Sequence, residues 1–260
     1  MKLSIITCTY NSEKFLKQTL DSVGSQKLSD KHTLQHIILD GLSTDATSDI
    51  VEQYKKDTKA SIDIRFVQKP PKGIFNAFNE GIRASDGEYI LVLPSDDFLM
   101  PDILEDYLNF IESTEKKDLY YAKRNTYNNT TGKNIGVPYP NRGIYYHWLH
   151  HLILGLSCYI SQPTVIAKRD LHERFGFYNE SLRLVSDWEF YIKITIGGAS
   201  SQFYDRVVTN FRVHEWSATT GNITAVTVSE QEEIYVFKKY YTFTKYFFIW
   251  LRTFYRKFFY

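Results

Sequence analysis

With 260 residues, 43% of them hydrophobic, the chain can bury a substantial core in one large domain, or in one domain with an appendage. A net charge of +1 supplies no overall field for nucleic acid, so no nucleic-acid partner is expected. The two cysteines, Cys8 and Cys158, are too few for a disulfide scaffold or a zinc site and suit a reducing compartment.

The amino terminus is apolar enough to suggest a signal peptide. Threonines interrupt it and no small-residue cleavage site follows, so residues 3–7 are expected to form a first strand. No run reaches the roughly 18 consecutive apolar residues of a membrane span. Asn11 or Ser12 can cap a helix in which Leu16, Leu20 and Val23 recur at helical spacing. Residues 36–39 make a short apolar strand ending at Asp40, and a turn of Gly, Ser, Thr and Asp leads to a helix with Ile50, Val51 and Tyr54. Residues 62–67 alternate as a strand. Pro70, Pro71 and Gly73 then break the chain before a helix marked by Ile74, Phe78 and Ile82. The run 89–93 reads as a buried strand leading to the paired carboxylates Asp96 and Asp97, and Pro101 opens a helix with Leu104, Leu108 and Ile111 on one face. Repeated β-α units of this length predict an α/β fold, a mostly parallel Rossmann-like sheet flanked by helices.

Beyond Asp118 the pattern loosens. Residues 123–143 read as a long polar loop, 144–160 suit either helix or strand, 181–196 look helical and 202–211 look like a strand. After Glu233 no acidic residue appears, while Lys238, Lys239, Lys245, Arg252, Arg256 and Lys257 alternate with aromatic rings. An amphipathic helical tail of that kind suits an anionic membrane surface. The other reading is a terminal helix packed on its own domain or on a second subunit in a homodimer.

Five constellations could carry chemistry. Asp96 and Asp97 at a strand end invite a hard divalent cation and through it a phosphate, or else close a helix N-cap. The Asp40 to Thr47 turn can accept an imide N–H from a nucleobase, or is an ordinary strand-turn-helix joint. Lys72, beside Gly73, can meet a phosphate or sugar hydroxyl, or sits on a simply capped helix. Asp187, followed by Trp188 and Glu189, can be a general base beside a stacking platform for a sugar, or a charge favoured by the helix dipole. Arg212 and His214 share one side of a strand, which suits a diphosphate or a metal; a lone histidine can equally be structural.

In this order the motifs resemble the family 2 glycosyltransferases, inverting enzymes with the GT-A fold, over about residues 1–220. Residues 5–11 resemble the family's opening strand and nucleotide loop, and residues 40–45 its D-G-x-S-T-D element. Ser95-Asp96-Asp97 resembles its D-x-D motif, Asp187 stands at its catalytic base, and Arg212-x-His214-x-x-Ser217 resembles its R-x-H-x-x-S element. The resemblance implies that Thr7, Tyr10 and Asp40 hold the base of the nucleotide. Asn11, Ser43, Lys72, Asn76, Asp96 and Arg212 would complete the donor site, Asp97 and His214 would bind Mn²⁺ or Mg²⁺, and Trp188 and Glu189 would meet the acceptor. Ser95 stands where many members carry the first Asp, Pro71 and Asn76 replace acidic residues of one branch, and Ser186 replaces a Glu. Those departures leave the transferred sugar open.

The resemblance further implies a GT-A domain over 1–225, with a nucleotide-sugar half (1–120) and an acceptor half (121–225), followed by the basic aromatic tail 226–260. Its expected work is metal-dependent, inverting transfer from a nucleotide-diphospho-sugar, a UDP-hexose. The expected acceptor is a saccharide on a lipid diphosphate, in surface-polysaccharide assembly at the cytoplasmic face of the membrane. The alternative is a non-catalytic nucleotide-sugar-binding protein on the same scaffold. Dehydrogenases, P-loop enzymes and sugar nucleotidyltransferases need a Gly-rich first β-α turn, and here that turn is Thr-Cys-Thr-Tyr-Asn-Ser.

Overall fold

The computed structural model describes residues 1–58, 61–139, 154, 158–215 and 223–241. Strands β1 (Lys2–Thr9) and β2 (Thr33–Asp40) are each buried along seven of eight residues, and the third apolar run, Tyr89–Val92, along all four. Burial on both faces explains why these segments read as continuous apolar runs rather than alternating ones. β1 pairs in parallel with β2, placing Thr9 opposite Asp40, and β2 pairs in parallel with β3 (Ile62–Gln68). On its other edge β1 pairs in parallel with β4 (Tyr89–Val92). The chain thus builds outward from β1 to β3 and then crosses back, so the strand order reverses between β1 and β4. In open α/β sheets such a switch point opens a crevice at the carboxyl ends of the strands.

The rest of the sheet comes from the second half of the chain, apart from the two-residue β5 (Phe98–Leu99). β6 (Leu119–Asn128) carries a hairpin partner, β7 (Lys133–Tyr139), and β8 (Ile166–Lys168) lies antiparallel between β4 and β6. β9 (Ser201–Val213) runs parallel to β6 and takes β5 on its far edge. The resulting order is β3-β2-β1-β4-β8-β6-β9-β5.

Helices cover both faces. α1 (Glu13–Gly24) and α2 (Thr47–Asp57) pack Leu16, Leu20, Val51 and Tyr54 on Ile38, and α4 (Ile103–Ser113) packs on the same face against Leu3, Ile5 and Leu91. The opposite face, with Ile6, Leu39 and Val92, receives α3 (Ile74–Ala84), α5 (Asp170–Phe175), α6 (Ser186–Ile196) and α7 (Ile223–Tyr240) in one large core. Gly81 lets α3 lie close to β1: a Cβ there would stand 2.4 Å from Ile6 Cγ2 and 2.9 Å from Leu39 Cδ1.

Three sequence expectations change. Within the polar stretch 123–143, residues 123–139 are not a long loop, because the first part pairs with β9 and the chain then turns at Gly132 (φ 66°) into β7. The helix expected over 181–196 begins at Ser186. The boundary at 225 cuts through α7, whose Val236 and Phe237 are buried in the main core together with Tyr241. That much of the expected tail is part of the domain. Residues 242–260 and most of the undecided segment 144–160 lie outside the described residues.

Candidate active site

The loops leaving β1, β2 and β4 meet at the switch point. Asp40, the last residue of β2, is 2% exposed and its carboxylate gathers four hydrogen bonds. Oδ1 accepts from Thr9 Oγ1 (2.9 Å) and Ser43 Oγ (2.5 Å), and Oδ2 from Ser43 N (3.0 Å) and Gln68 Nε2 (3.1 Å). Burial works to raise its pKa, but these donors prevail and hold the carboxyl below the ordinary range. Asn11, held at φ 48°, stitches the β1 loop to the β2 loop: its N–H donates to Ser43 Oγ (2.8 Å) and its side-chain oxygen accepts from Thr44 N (2.9 Å). The amino termini of α1 and α2 cap each other, Glu13 N–H donating to Asp45 (3.1 Å) and Ala46 N–H to Glu13 (2.9 Å). Both loops are therefore rigid where they border the crevice.

Two adjoining cavities occupy it, of about 860 and 370 Å³, within the roughly 300–1,000 Å³ of small-molecule sites. The smaller lies over Asp40 among Val67, residues 69–74, Asn76 and Glu80. The larger runs past residues 10–15 to Ser95, Asp96, Phe211 and His214. Cys8, Tyr10, Ser12, Ile74 and Ser95 border both, and the Tyr10 ring is 60% exposed between them.

Asp96 and Asp97 both line the larger cavity but differ in burial. The Asp96 carboxylate is 34% exposed and its Oδ2 lies 3.0 Å from His214 Nε2. Asp97 is 1% exposed, with Oδ1 accepting from Arg212 N (2.8 Å) and Oδ2 buried without a hydrogen-bond partner. Burial, and next the charge of Asp96, push the Asp97 carboxyl well above the usual range. Asp97 nevertheless lines the same cavity as Asp96 and His214, and its unpartnered Oδ2 fits the metal role expected of it. Thr19 Oγ1 holds the turn from behind through Ser95 O (2.8 Å) and Asp97 O (2.7 Å).

The expected role of Arg212 is corrected. Its Nε donates to Asp96 O (2.7 Å), Nη1 to Asn129 Oδ1 (2.6 Å) and Nη2 to Gln18 Oε1 (2.6 Å), between the rings of Phe15, Phe98 and Tyr127. At 3% exposed it clamps the Asp96 turn and is not presented to a donor. Thr7 is fully buried and hydrogen-bonds His36 (3.0 Å) in the core, so it does not reach a base. Thr9, two residues later and in register with Asp40, lines the smaller cavity and donates to Asp40. Ser43 spends its hydroxyl inside the loop. Lys72 and Asn76 border the smaller cavity as expected, Asn76 also donating to Glu180 (2.8 Å).

Asp187 sits in the first turn of α6 and accepts from the Trp188 N–H (2.8 Å). Burial raises its pKa from 3.8 to about 6 against the pull of backbone N–H groups. It borders neither cavity. One aromatic layer intervenes: Phe78 lines the larger cavity, its ring stands 6.0 Å from that of Tyr178, and the Tyr178 phenol is within electrostatic reach of Asp187. Trp188 and Glu189 are not placed for an acceptor. Trp188 is 4% exposed with its Nε1 donating to Leu154 O (2.7 Å), and Glu189 is 1% exposed and bound to Lys239 (2.8 Å) and Tyr240 (2.5 Å). Sequence reading missed Thr9, Cys8, Phe15 and Glu80. Only Thr9 carried a signal, as the last residue of β1 facing the last of β2.

Comparison with known proteins agrees with this geometry. The chain is 32% identical over 112 residues to the poly(ribitol-phosphate) β-N-acetylglucosaminyltransferase TarS of Staphylococcus aureus, 43% of this chain and 19% of that protein. It is 34% identical over 138 residues to a poly(ribitol-phosphate) β-glucosyltransferase of Bacillus spizizenii, 53% of this chain and 20% of the relative. The chain thus spans about a fifth of these two relatives. A crystal structure of S. aureus TarS residues 1–349 with UDP-GlcNAc superposes with a TM-score of 0.70 at 23% identity, covering 90% of this chain and 66% of that one. Such a likeness establishes the α/β GT-A fold. The profile described as Glycosyl transferase family 2 matches residues 4–173, most of the chain and all three loops of the crevice, and the chain belongs to that family.

Proposed function

We propose that the protein is a glycosyltransferase that moves a sugar from a nucleotide-diphospho-sugar, a UDP-hexose, to a hydroxyl group with inversion at the anomeric carbon. One observation carries the reading: a cavity over Asp40 runs into a larger one walled by Asp96 and His214, at the switch point of the sheet. The exposed Tyr10 ring offers a stacking face for a base, and Lys72 offers a cation to phosphate or sugar oxygens. The UDP-GlcNAc complex of TarS supports a UDP-linked donor. The β-linkages in the names of the relatives support inversion, since such donors carry an α-linked sugar.

Mn²⁺ or Mg²⁺ fits the site. Asp96 Oδ2 and His214 Nε2, 3.0 Å apart on the cleft wall, are an oxygen and an imidazole donor. Among the described residues no group of three or more such side chains is assembled, which suits an ion completed by donor phosphates and water. When bound, the ion offsets charge that develops on the departing diphosphate. Asp187 takes the proton of the acceptor hydroxyl as its oxygen bonds to the anomeric carbon, and the bond from that carbon to the diphosphate breaks. General-base help of this kind is worth about 10²–10⁴ in rate. A carboxyl titrating at about 6 is mostly ionised at neutral pH and still a competent base.

The acceptor we propose is a hydroxyl of a lipid-linked or polymer-borne saccharide or polyol in surface-polysaccharide assembly, in line with the relatives' poly(ribitol-phosphate) names. Residues 242–260 would hold the enzyme at an anionic inner membrane face. A screen of nucleotide sugars, reading Mn²⁺-dependent thermal stabilisation and slow donor hydrolysis, tests the function without an acceptor. UDP-sugars are expected to stabilise the protein, and a flat response to every nucleotide sugar would overturn the assignment.

A further inference from the structure

We infer that α7 braces the turn that carries Asp187, with Glu232 as the positioning residue. The inference rests on the base role proposed for Asp187. Residues 183–185 lead into α6 with three consecutive backbone N–H groups, and one carboxylate takes all of them. Arg183 N donates to Glu232 Oε1 (2.6 Å), and Leu184 N (2.9 Å) and Val185 N (3.2 Å) donate to Oε2. Backbone donors at a helix entrance have no partner in the helix itself, and an anion there is also favoured by the helix dipole. Glu232 is therefore fixed by charge and geometry at once.

A second grip lies just past Asp187. Glu189, buried on α6, takes Lys239 Nζ (2.8 Å) and Tyr240 Oη (2.5 Å) from the end of α7. Between the two grips Trp188 packs edge-on against Phe237, with ring centroids 5.7 Å apart. One helix thus holds the three residues before Ser186 and the two after Asp187. The Asp187 carboxyl itself answers to burial and to backbone N–H groups. Its charge is felt by Cys158 and Tyr178 in loops and by Tyr191 on α6, and the charged groups packed about this turn are Glu189 on α6 and Glu232 and Lys239 on α7. The arrangement fixes the peptide planes from which the Asp187 side chain departs.

The test uses the full chain, the UDP-hexose that the wild type hydrolyses, and UDP alone as the binding probe. Glu232→Gln keeps size but turns an N–H₂ toward backbone donors; Glu232→Asp keeps charge but falls one methylene short. For either variant that folds, kcat is expected to drop by about 10- to 100-fold, the order expected from displacing a reacting group by ~1 Å, while UDP affinity stays within about twofold. The acid limb of the kcat profile should move from near 6 toward the ordinary carboxylate range as Asp187 becomes hydrated. A role in packing alone would lower the melting temperature and leave both kcat and the acid limb in place, which would overturn the brace. Asp187→Asn, measured in parallel, separates the two claims. If Asp187→Asn is inactive and the Glu232 variants behave as wild type, only the brace fails; if Asp187→Asn is fully active, the base assignment fails and the brace with it.

Discussion

At the residue scale, Asp97 shows what burial beside a second carboxylate does to an acid. A carboxyl whose pKa is raised on folding binds its proton more tightly in the folded state, so its ionisation costs stability as pH rises above the unfolded value. Asp97 is in that position, and Asn in its place would still accept from Arg212 N while removing the buried charge. Asp97→Asn is expected to lose Mn²⁺-dependent UDP binding by about tenfold or more while melting no lower at pH 7. Asp96→Asn should lose Mn²⁺-dependent UDP binding by a similar factor. Calorimetry with Mn²⁺ and with chelator checks both; unchanged Mn²⁺-dependent binding in either variant would take the metal role from that residue. Asp187 obeys the same sign. Its rise from 3.8 to about 6 corresponds to at most about 3 kcal/mol of stability given up at neutral pH, the familiar cost of a poised base. Asp187→Asn should lose turnover, keep UDP affinity and melt higher than wild type at pH 7, with the gain vanishing below about pH 4. The kcat of the wild type should fall on the acid side as pH drops through about 6. The Thr7 and Thr9 assignments show where sequence reading at this scale stops. Both project to one face of β1, and only the register with β2 shows that Thr9, not Thr7, meets Asp40.

At the element scale, helices and strands of the first half were legible because each buries an apolar stripe or a continuous apolar run, the two signals that a single sequence carries. The β6–β7 hairpin was not legible. The second half of β6 is only half-buried, and its ladder with β9 is set by a partner some eighty residues away, so local polarity pointed to a loop. The corrected roles of Trp188 and Glu189 have the same origin, since their partners lie on α7. Element packing also yields a prediction. Gly81 faces Ile6 and Leu39 so closely that any Cβ must push α3 away from β1. Gly81→Ala should cost about 1–3 kcal/mol by overpacking, despite the better helix propensity of Ala. Because α3 carries Ile74 and Asn76 of the cleft, UDP affinity should fall along with the urea midpoint. A variant as stable as wild type would mean that the Ile6 and Leu39 side chains yield freely.

At the scale of the whole molecule, the switch point collects cleft residues from the ends of β1, β2, β4 and β9, and Asp187 lies on α6 outside both cavities. The end of the packed domain was not foreseen. Aromatic and basic residues continue across Tyr241 without a change of composition, so nothing local separates the packed part of α7 from residues 242–260. The structure marks the packed part: Phe237 and Tyr241 are buried and Lys239 is tied to Glu189. No helix among the described residues is long and apolar enough to cross a membrane. The expectation for residues 242–260 is interfacial attachment, from their sequence. That stretch holds Lys245, Arg252, Arg256 and Lys257 and no acidic residue. Four cations at about 1 kcal/mol each reach only roughly millimolar attachment to an anionic surface. The interleaved rings must supply the remainder at the headgroup boundary. Truncation after Tyr241 should therefore leave the melting temperature and UDP affinity unchanged while abolishing co-sedimentation with vesicles of phosphatidylserine and phosphatidylcholine. High salt should weaken binding of the full chain without eliminating it, since screening removes the ionic part and leaves the apolar part. If truncation instead leaves vesicle binding intact and converts a dimer to a monomer, the segment belongs against a second copy of the chain. The rings would then be buried in protein, not lipid.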